Sequence, residues 1–319
     1  MPEILNIAVV IPCFRVKDSI LNVIEKIGPE VSQIIVIDDA CPDDSGKLVE
    51  QVTIDKRVSV FYNKKNLGVG GAVKQGYLRA LAQNADVVVK LDGDGQMDPR
   101  LILALIQPLI DERADYTKGN RFFNIEHIKS MPKLRIFGNL VLSFFAKFST
   151  GYWRIFDPNN GFTAINSSTL RKLDLKKIDD RYFFESDILF RLNLLRAVTI
   201  DVPMEAKYGT EVSHLKIKKV VGEFPVKHGR NFVKRIAYTY YLRDFTLASL
   251  ELPIGLGLMS FGVISGITNF LQSQSLNQAT QPGTLILISM SILVGIQLIL
   301  SFFAYDIDSS PTIPLGKIS

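Results

Sequence analysis

The chain has 319 residues, 47% of them hydrophobic, which is enough for one sizeable soluble domain and a further, more apolar part. Its net charge of +5 is modest and no nucleic-acid partner is expected. Two cysteines without C-x-x-C spacing, Cys13 and Cys41, and three scattered histidines, His127, His214 and His228, argue against a disulfide or redox role and against a zinc site.

Short β-branched runs alternate with helical patterns through the first hundred residues, which predicts βαβ units and a mostly parallel sheet. Strands are expected at 7–11, 34–37, 58–62 and 86–91, with helices at 19–26 and 69–83. Residues 1–14 lack a basic start, so their apolar stretch is read as the first strand and not as a signal peptide. Three strands end in polar sites, Pro12-Cys13-Phe14, Asp38-Asp39 and Asp92-Gly93-Asp94, and ligands of open α/β sheets gather at such carboxyl ends. Cys13 and Cys41 lie near two of these ends and fit reduced thiols.

Beyond residue 130, Leu134, Phe137, Val141, Phe145 and Phe148 recur at helical spacing among Lys133, Arg135 and Lys147. The apolar stripe suits a helix lying on a membrane surface or one packed in the core, and both readings stay open. Residues 252–271 and 284–304 are nearly uncharged apolar runs, each close to the roughly 20 residues that cross a bilayer as a helix. The loop between them carries no Lys, Arg, Asp or Glu, whereas Lys216, Lys218, Lys219, Lys227, Arg230, Lys234, Arg235 and Arg243 crowd ahead of the first run. The positive-inside rule then places the large N-terminal part in the cytoplasm, and two crossings return the C-terminus to the same side. The aromatic and basic mixture over 224–241 suits attachment to anionic lipid, and its aromatic residues make a homo-oligomer plausible. The expected organisation is an α/β domain over 1–215, a basic amphipathic juxtamembrane segment over 216–250, a transmembrane hairpin over 251–305 and a tail over 306–319.

The central motif is Asp92-Gly93-Asp94-Gly95-Gln96, directly after the apolar run Val87-Val88-Val89-Lys90-Leu91. Its glycines let two carboxylates and an amide converge on a hard cation, Mg2+ or Mn2+, in company with a diphosphate. An ordinary polar turn uses the same residues. Other motifs fail on spacing. Val73 stands where a G-x-G-x-x-G fingerprint starting at Gly68 needs its last glycine; Met97 and Leu103 occupy the turn-glycine and closing-Glu positions of an EF-hand; no G-x-S-x-G elbow is present.

Six stretches in order resemble the GT-A nucleotide-sugar glycosyltransferases of family two, and within them the polyprenyl-phosphate glycosyltransferases. They are Ile11-Pro12-Cys13-Phe14, the run from Val36 through Asp38-Asp39 to Ser45, Asn66-Leu67-Gly68-Val69-Gly70-Gly71-Ala72, Leu91-Asp92-Gly93-Asp94-Gly95-Gln96, Gly119-Asn120-Arg121-Phe122, and Asp157-Pro158-Asn159-Asn160-Gly161-Phe162. The resemblance covers nearly the whole chain and implies a GT-A, Rossmann-like α/β catalytic domain followed by amphipathic juxtamembrane helices and two transmembrane helices. It implies nucleotide contacts from Pro12, Asp39, Gly68, Gly70, Gly71, Asp92 and Arg121, and metal contacts from Asp92, Asp94 and Gln96. Asp157, then Asp187, then Glu185 are the implied catalytic carboxylates, and Arg121, Arg135, Ser213 and Lys216 the implied contacts to the acceptor phosphate and its lipid.

Blander roles compete at several of these positions: a cap or turn for Asp39, a tight turn for the glycines, a surface ion pair for Arg121, and a helix N-terminus for Glu185. Arg15-Val16-Lys17-Asp18 stands where the family usually has Asn-Glu, which leaves ribose and base contacts from that segment open. The function implied is inverting transfer of one hexose, glucose from UDP-glucose, to polyprenyl (undecaprenyl) phosphate at the cytoplasmic membrane face, as in the bactoprenol glucosyltransferases. Dolichyl-phosphate mannose synthases, with GDP-mannose, are the nearest alternative. A processive polysaccharide synthase needs more crossings and a Q-x-x-R-W signature, which is missing because Trp153 is the only tryptophan; an inactive membrane scaffold has no use for so many intact carboxylates.

Overall fold

The computed structural model describes residues 5–123, 133–204 and 217–317, with the side chains at 133–135, 137 and 217–221 left aside. Ser213 and Lys216, and the side chain of Arg135, therefore lie outside the described residues.

The predicted strands and helices are present. Strands β1 (Ile7–Cys13), β2 (Gln33–Asp38), β3 (Val58–Tyr62) and β4 (Val87–Lys90) pair in parallel in the order β3-β2-β1-β4. Helices α1 (Ile20–Glu25), α2 (Ser45–Val52) and α3 (Val69–Ala82) make the crossovers, and α4 (Ile102–Ile110) follows β4. Strand side chains alternate between the two faces. Ile7, Val9, Ile11 and Cys13 pack with α1, α2 and α4 on one face; Ala8 and Val10 pack with α3 on the other. Both faces are covered, so these strands are apolar runs and not alternating ones, and each fully buried Val or Ile contributes about 1.5–3 kcal/mol. Gly76 lets α3 approach β1 closely, since a Cβ there would lie 2.1 Å from Val10 Cγ1. Pro12 fits in β1 because pairing with β4 has ended at Val10, where a missing N–H is harmless.

The sheet continues through β5 (Tyr116–Asn120), β6 (Thr163–Asn166) and β7 (Thr199–Pro203), giving the full order β3-β2-β1-β4-β6-β5-β7. β6 runs antiparallel to both neighbours, while β5 and β7 pair in parallel. Helices α5 (Lys133–Thr150), α6 (Ser167–Lys172) and α7 (Phe184–Leu194) complete this half, with Phe184, Ile188, Leu189 and Leu192 of α7 on the α3 face. On α5 the buried face is not the expected apolar stripe: Ser143, Ala146 and Ser149 are buried, whereas Val141 and Phe145 of the stripe are exposed, with Leu140 and Phe144 beside them.

The chain divides into two compact units, residues 1–232 with 311–319, and residues 233–310. Helix α8 (Ile217–Ala237) passes through the division. In the first unit the C-terminal segment docks through Leu315 N, which donates to Asp115 Oδ1 and Oδ2 at 3.0 Å each. The second unit holds α9 (Leu247–Leu276) and α10 (Pro282–Asp308), both long and apolar enough to cross a membrane. They pack closely where side chains are smallest: a Cβ on Gly295 would lie 2.7 Å from Met259 N, and one on Gly262 2.6 Å from Ile292 Cγ1. Ile264, Phe270 and Leu293 face outward.

Two of the basic residues preceding the hairpin are committed to protein contacts. Lys227 pairs with Asp179 at 2.6 Å, and buried Arg235 forks onto Asp306 at 2.6 and 2.9 Å while the Tyr240 hydroxyl donates to the same carboxylate. Burial without such partners would be prohibitive for a guanidinium, so Arg235 belongs to the interior of its unit.

Candidate active site

The carboxyl ends of β1, β2 and β4 lie side by side, which brings the polar termini of the sequence reading together. Asp39, just past β2, is buried and accepts from Asn63 Nδ2 (2.8 Å), Leu67 N (2.9 Å) and Gly68 N (2.8 Å). It thus pins the 63–68 loop to the strand end. Gly68 has φ +90°, and Cβ atoms on Gly68 and Gly70 would lie 2.7 Å from Asp180 O and 2.4 Å from Asp179 O. The close approach these glycines permit is to the 179–184 segment, and Gly71 N donates to Asp180 O at 2.9 Å.

The Asp92 loop is held at both ends. Asp92 Oδ1 accepts from Lys90 Nζ at 2.8 Å, Ser19 Oγ donates to Gly93 O at 2.7 Å, and Gln96 N donates to Asp94 Oδ1 at 3.0 Å across Gly95, whose φ is +78°. Lys90 also reaches Glu185 Oε1 at 3.1 Å. Burial opposes the Lys90 charge, but Asp92 and Glu185 outweigh it and hold its pKa above the usual lysine range. Gly161 closes over this pair, for a Cβ there would lie 2.3 Å from both Asp92 Oδ2 and Lys90 Nζ. Asp92, Asp94 and Gln96 offer the oxygen donors that a hard cation takes, and any side chain at position 161 would collide with Asp92 Oδ2. These residues fit Mg2+ or Mn2+ shared with a diphosphate; no group of three His, Cys, Asp or Glu among the described residues would hold the ion alone.

The turn that carries Gly161 begins at Asp157. Asp157 is buried and forked by Arg121, Nε to Oδ2 at 2.6 Å and Nη2 to Oδ1 at 2.9 Å. Burial pushes the Asp157 carboxyl up, but the Arg121 charge and hydrogen bonds, with Lys118 behind them, bring it below the usual carboxylate range. Asp157 is therefore a poor proton acceptor. Lys118, fully buried on β5, donates to the carbonyls of Asp157 and Asn160 and so supports the turn from beneath. Its burial lowers its pKa to about 8 against the pull of Asp157 and Asp201. Asp201, pushed up by its own burial, accepts from Asn120 Nδ2 and Phe156 N.

The two carboxylates of α7 have different surroundings. Glu185 joins Lys90 and Asp92, whereas Asp187 accepts from Asp179 N (3.0 Å), Arg191 Nε (3.3 Å) and Asn231 Nδ2 (2.9 Å). Asp187 thus ties α7 to its preceding loop and to α8. Sequence reasoning missed Lys90 and Lys118. The available signal was a lysine within a buried strand, Val87-Val88-Val89-Lys90 and Tyr116-Thr117-Lys118, where an ammonium needs partners.

This mixed sheet with an acidic loop at the carboxyl end of a central strand is the GT-A glycosyltransferase architecture. The model of "Glycosyl transferase family 2" matches residues 8–174, and the chain belongs to that family. It is 29% identical over 234 residues, 69% of its length and 92% of the relative's, to the UDP-N-acetylglucosamine–dolichyl-phosphate N-acetylglucosaminyltransferase of Methanococcus voltae. It is 26% identical over 204 residues, 63% of this chain and 83% of the other, to the undecaprenyl-phosphate mannosyltransferase of Micrococcus luteus. Among solved structures, glucosyl-3-phosphoglycerate synthase from Mycobacterium tuberculosis, in complex with Mn2+, UDP and glucosyl-3-phosphoglycerate, superposes with a TM-score of 0.53 at 17% identity, covering 72% of this chain and 80% of that one.

Proposed function

We propose that this glycosyltransferase moves one hexose from a nucleotide sugar to a polyprenyl phosphate at a membrane surface. The observation that carries the reading is the meeting at Gly161 of the Asp92 loop with the turn that begins at the Asp157–Arg121 fork. The loop proposed for the diphosphate and the guanidinium proposed for the acceptor phosphate are then linked through one short turn. Relatives that use dolichyl and undecaprenyl phosphate, together with two helices of spanning length, support a lipid-borne acceptor. We place the catalytic unit and both termini on the cytoplasmic side, as the basic residues ahead of α9 suggest.

Asp92, Asp94 and Gln96 would hold Mg2+ or Mn2+, which offsets the charge developing on the departing diphosphate. Asp157 takes the Nε–Nη2 edge of the Arg121 guanidinium and so sets its plane, and a phosphate would meet the opposite, Nη1–Nη2 edge. A phosphate monoester has a second pKa of about 6 and is largely ionised near neutrality, so its oxygen attacks without a strong base. That matches an Asp157 held ionised by Arg121. In-line attack inverts the anomeric centre and yields a β-linked lipid-phosphate sugar. Asp39 and the turn at Gly68, Gly70 and Gly71 frame the nucleotide side, with Pro12 at the end of β1.

The donor proposed is UDP-glucose. UDP-N-acetylglucosamine is the second candidate, because a relative 29% identical over 92% of its own length bears that activity in its name. The test is purified full-length protein in detergent with Mg2+, undecaprenyl phosphate and a panel of UDP-glucose, UDP-N-acetylglucosamine and GDP-mannose. One donor should give a lipid-linked monosaccharide. Polymer formation would point to a processive synthase, and absence of turnover with every donor would defeat the proposal.

A further inference from the structure

Lys90 is the least expected side chain at the centre of this sheet. It ends β4, faces the same side as Val88, and is completely buried. That face is covered by α7, whose second residue is Glu185, and the ammonium lies 2.8 Å from Asp92 Oδ1 and 3.1 Å from Glu185 Oε1. The backbone at Gly161 closes the space above it. Packing does not account for such a group. A buried ion pair is commonly no more stabilising than apolar residues of the same volume, so an aliphatic side chain at 90 with another at 185 would fold as well. What Lys90 does that an aliphatic residue cannot is couple the first carboxylate of the Asp92 loop to Glu185, with a fixed positive charge beneath both.

We propose that Lys90 is a positioning residue for glycosyl transfer: it fixes the direction of the Asp92 carboxylate, ties it to Glu185, and supplies a buried positive charge under the place that receives a nucleoside diphosphate. The proposal rests on the reading of Asp92, Asp94 and Gln96 as the metal and diphosphate site. Its electrostatic consequence has a sign. A divalent cation alone is repelled by Lys90, while the nucleoside diphosphate, which carries negative charge in excess of that cation, is attracted. Lys90→Met keeps the length of the side chain and removes both tether and charge. The two affinities should therefore move differently.

The experiment uses full-length Lys90→Met in detergent, with Mn2+ binding followed by electron paramagnetic resonance and UDP binding measured at saturating Mn2+. Mn2+ alone should bind at least as tightly as to the wild type, and UDP should bind on the order of ten-fold or more weakly, as expected for losing one unit charge a few ångströms from the site. Lys90→Arg, which keeps the charge, should retain more of the UDP affinity than Lys90→Met. Loss of both affinities together is the mark of simple structural damage and would overturn the proposal, as would UDP affinity unchanged from the wild type. Should Lys90→Met not fold, Lys90→Gln, which keeps a hydrogen-bond donor for Asp92 and loses the charge, is measured in its place, and the same weakening of UDP is required of it. None of these measurements needs an acceptor. A wild type that binds Mn2+ and UDP but transfers nothing to polyprenyl phosphate defeats the proposed function alone, and one that binds neither defeats both.

Discussion

Replacing Asp157 by Asn tests whether this carboxylate holds Arg121 or takes a proton. The carboxylate accepts two guanidinium bonds of 2.6 and 2.9 Å, both charge-assisted. Asn keeps one oxygen in place but turns an N–H group toward the other guanidinium nitrogen and removes the charge. A hydrogen bond to a charged group is worth about 1.5–3 kcal/mol, so the fork loses roughly that much orientation energy. At about 1.4 kcal/mol per decade this corresponds to a ten- to hundred-fold rise in KM for the phosphate acceptor, with a smaller change in kcat. The assay is steady-state transfer with polyprenyl phosphate varied at saturating donor, from pH 6 to pH 8. Because Arg121 holds the Asp157 carboxyl below its usual range, the wild-type rate should show no acidic limb from this group in that window. An unchanged acceptor KM with kcat down by about three orders of magnitude, the scale of a lost general base, would refute the reasoning.

Further outcomes follow from other parts of the molecule. Asp94→Ala, or removal of divalent ions by a chelator, should abolish turnover in a product assay and leave the melting temperature of the protein nearly unchanged, since Asp94 lies in a half-exposed loop. Asp187→Ala should lower stability by about 3 kcal/mol in a denaturant titration, because it strands the donors of Asp179, Arg191 and Asn231. His228 is buried against Phe183 and Phe224, and that burial lowers its pKa from 6.5 to about 4. The folded state thus stays neutral where the unfolded chain binds a proton, so stability should fall as pH drops from 6.5 towards 4, by about 3 kcal/mol in total. His228→Phe should flatten that part of the stability profile. Asp115→Ala removes the acceptor of Leu315 N and should expose residues 311–317 to carboxypeptidase at a rate the wild type resists.

The local periodicities of this chain were sufficient for its elements. Alternation of β-branched runs with helical spacing located β1 to β4 with their helices, uncharged length located α9 and α10, and glycines between acidic residues located the Asp92 loop. Each of these is a property of neighbours along the chain, which is why it is legible without a fold. The partners of the charged groups are not such a property. Asp157 meets Arg121 across 36 residues, Lys90 meets Glu185 across 95, and Asp187 meets Asn231 across 44. Sequence spacing therefore left Arg121 open between a phosphate contact and an ion pair, and it passed over Lys90 and Lys118 because a lysine in a strand reads as a flaw until its burial and its partners are known. The types of residue that do chemistry were set by the sequence itself. Which carboxylate is held ionised, which serves as a structural tie, and which stands over a buried ammonium was decided by the tertiary structure, because charge energies depend on distance and solvent exclusion and neither is written in the order of residues.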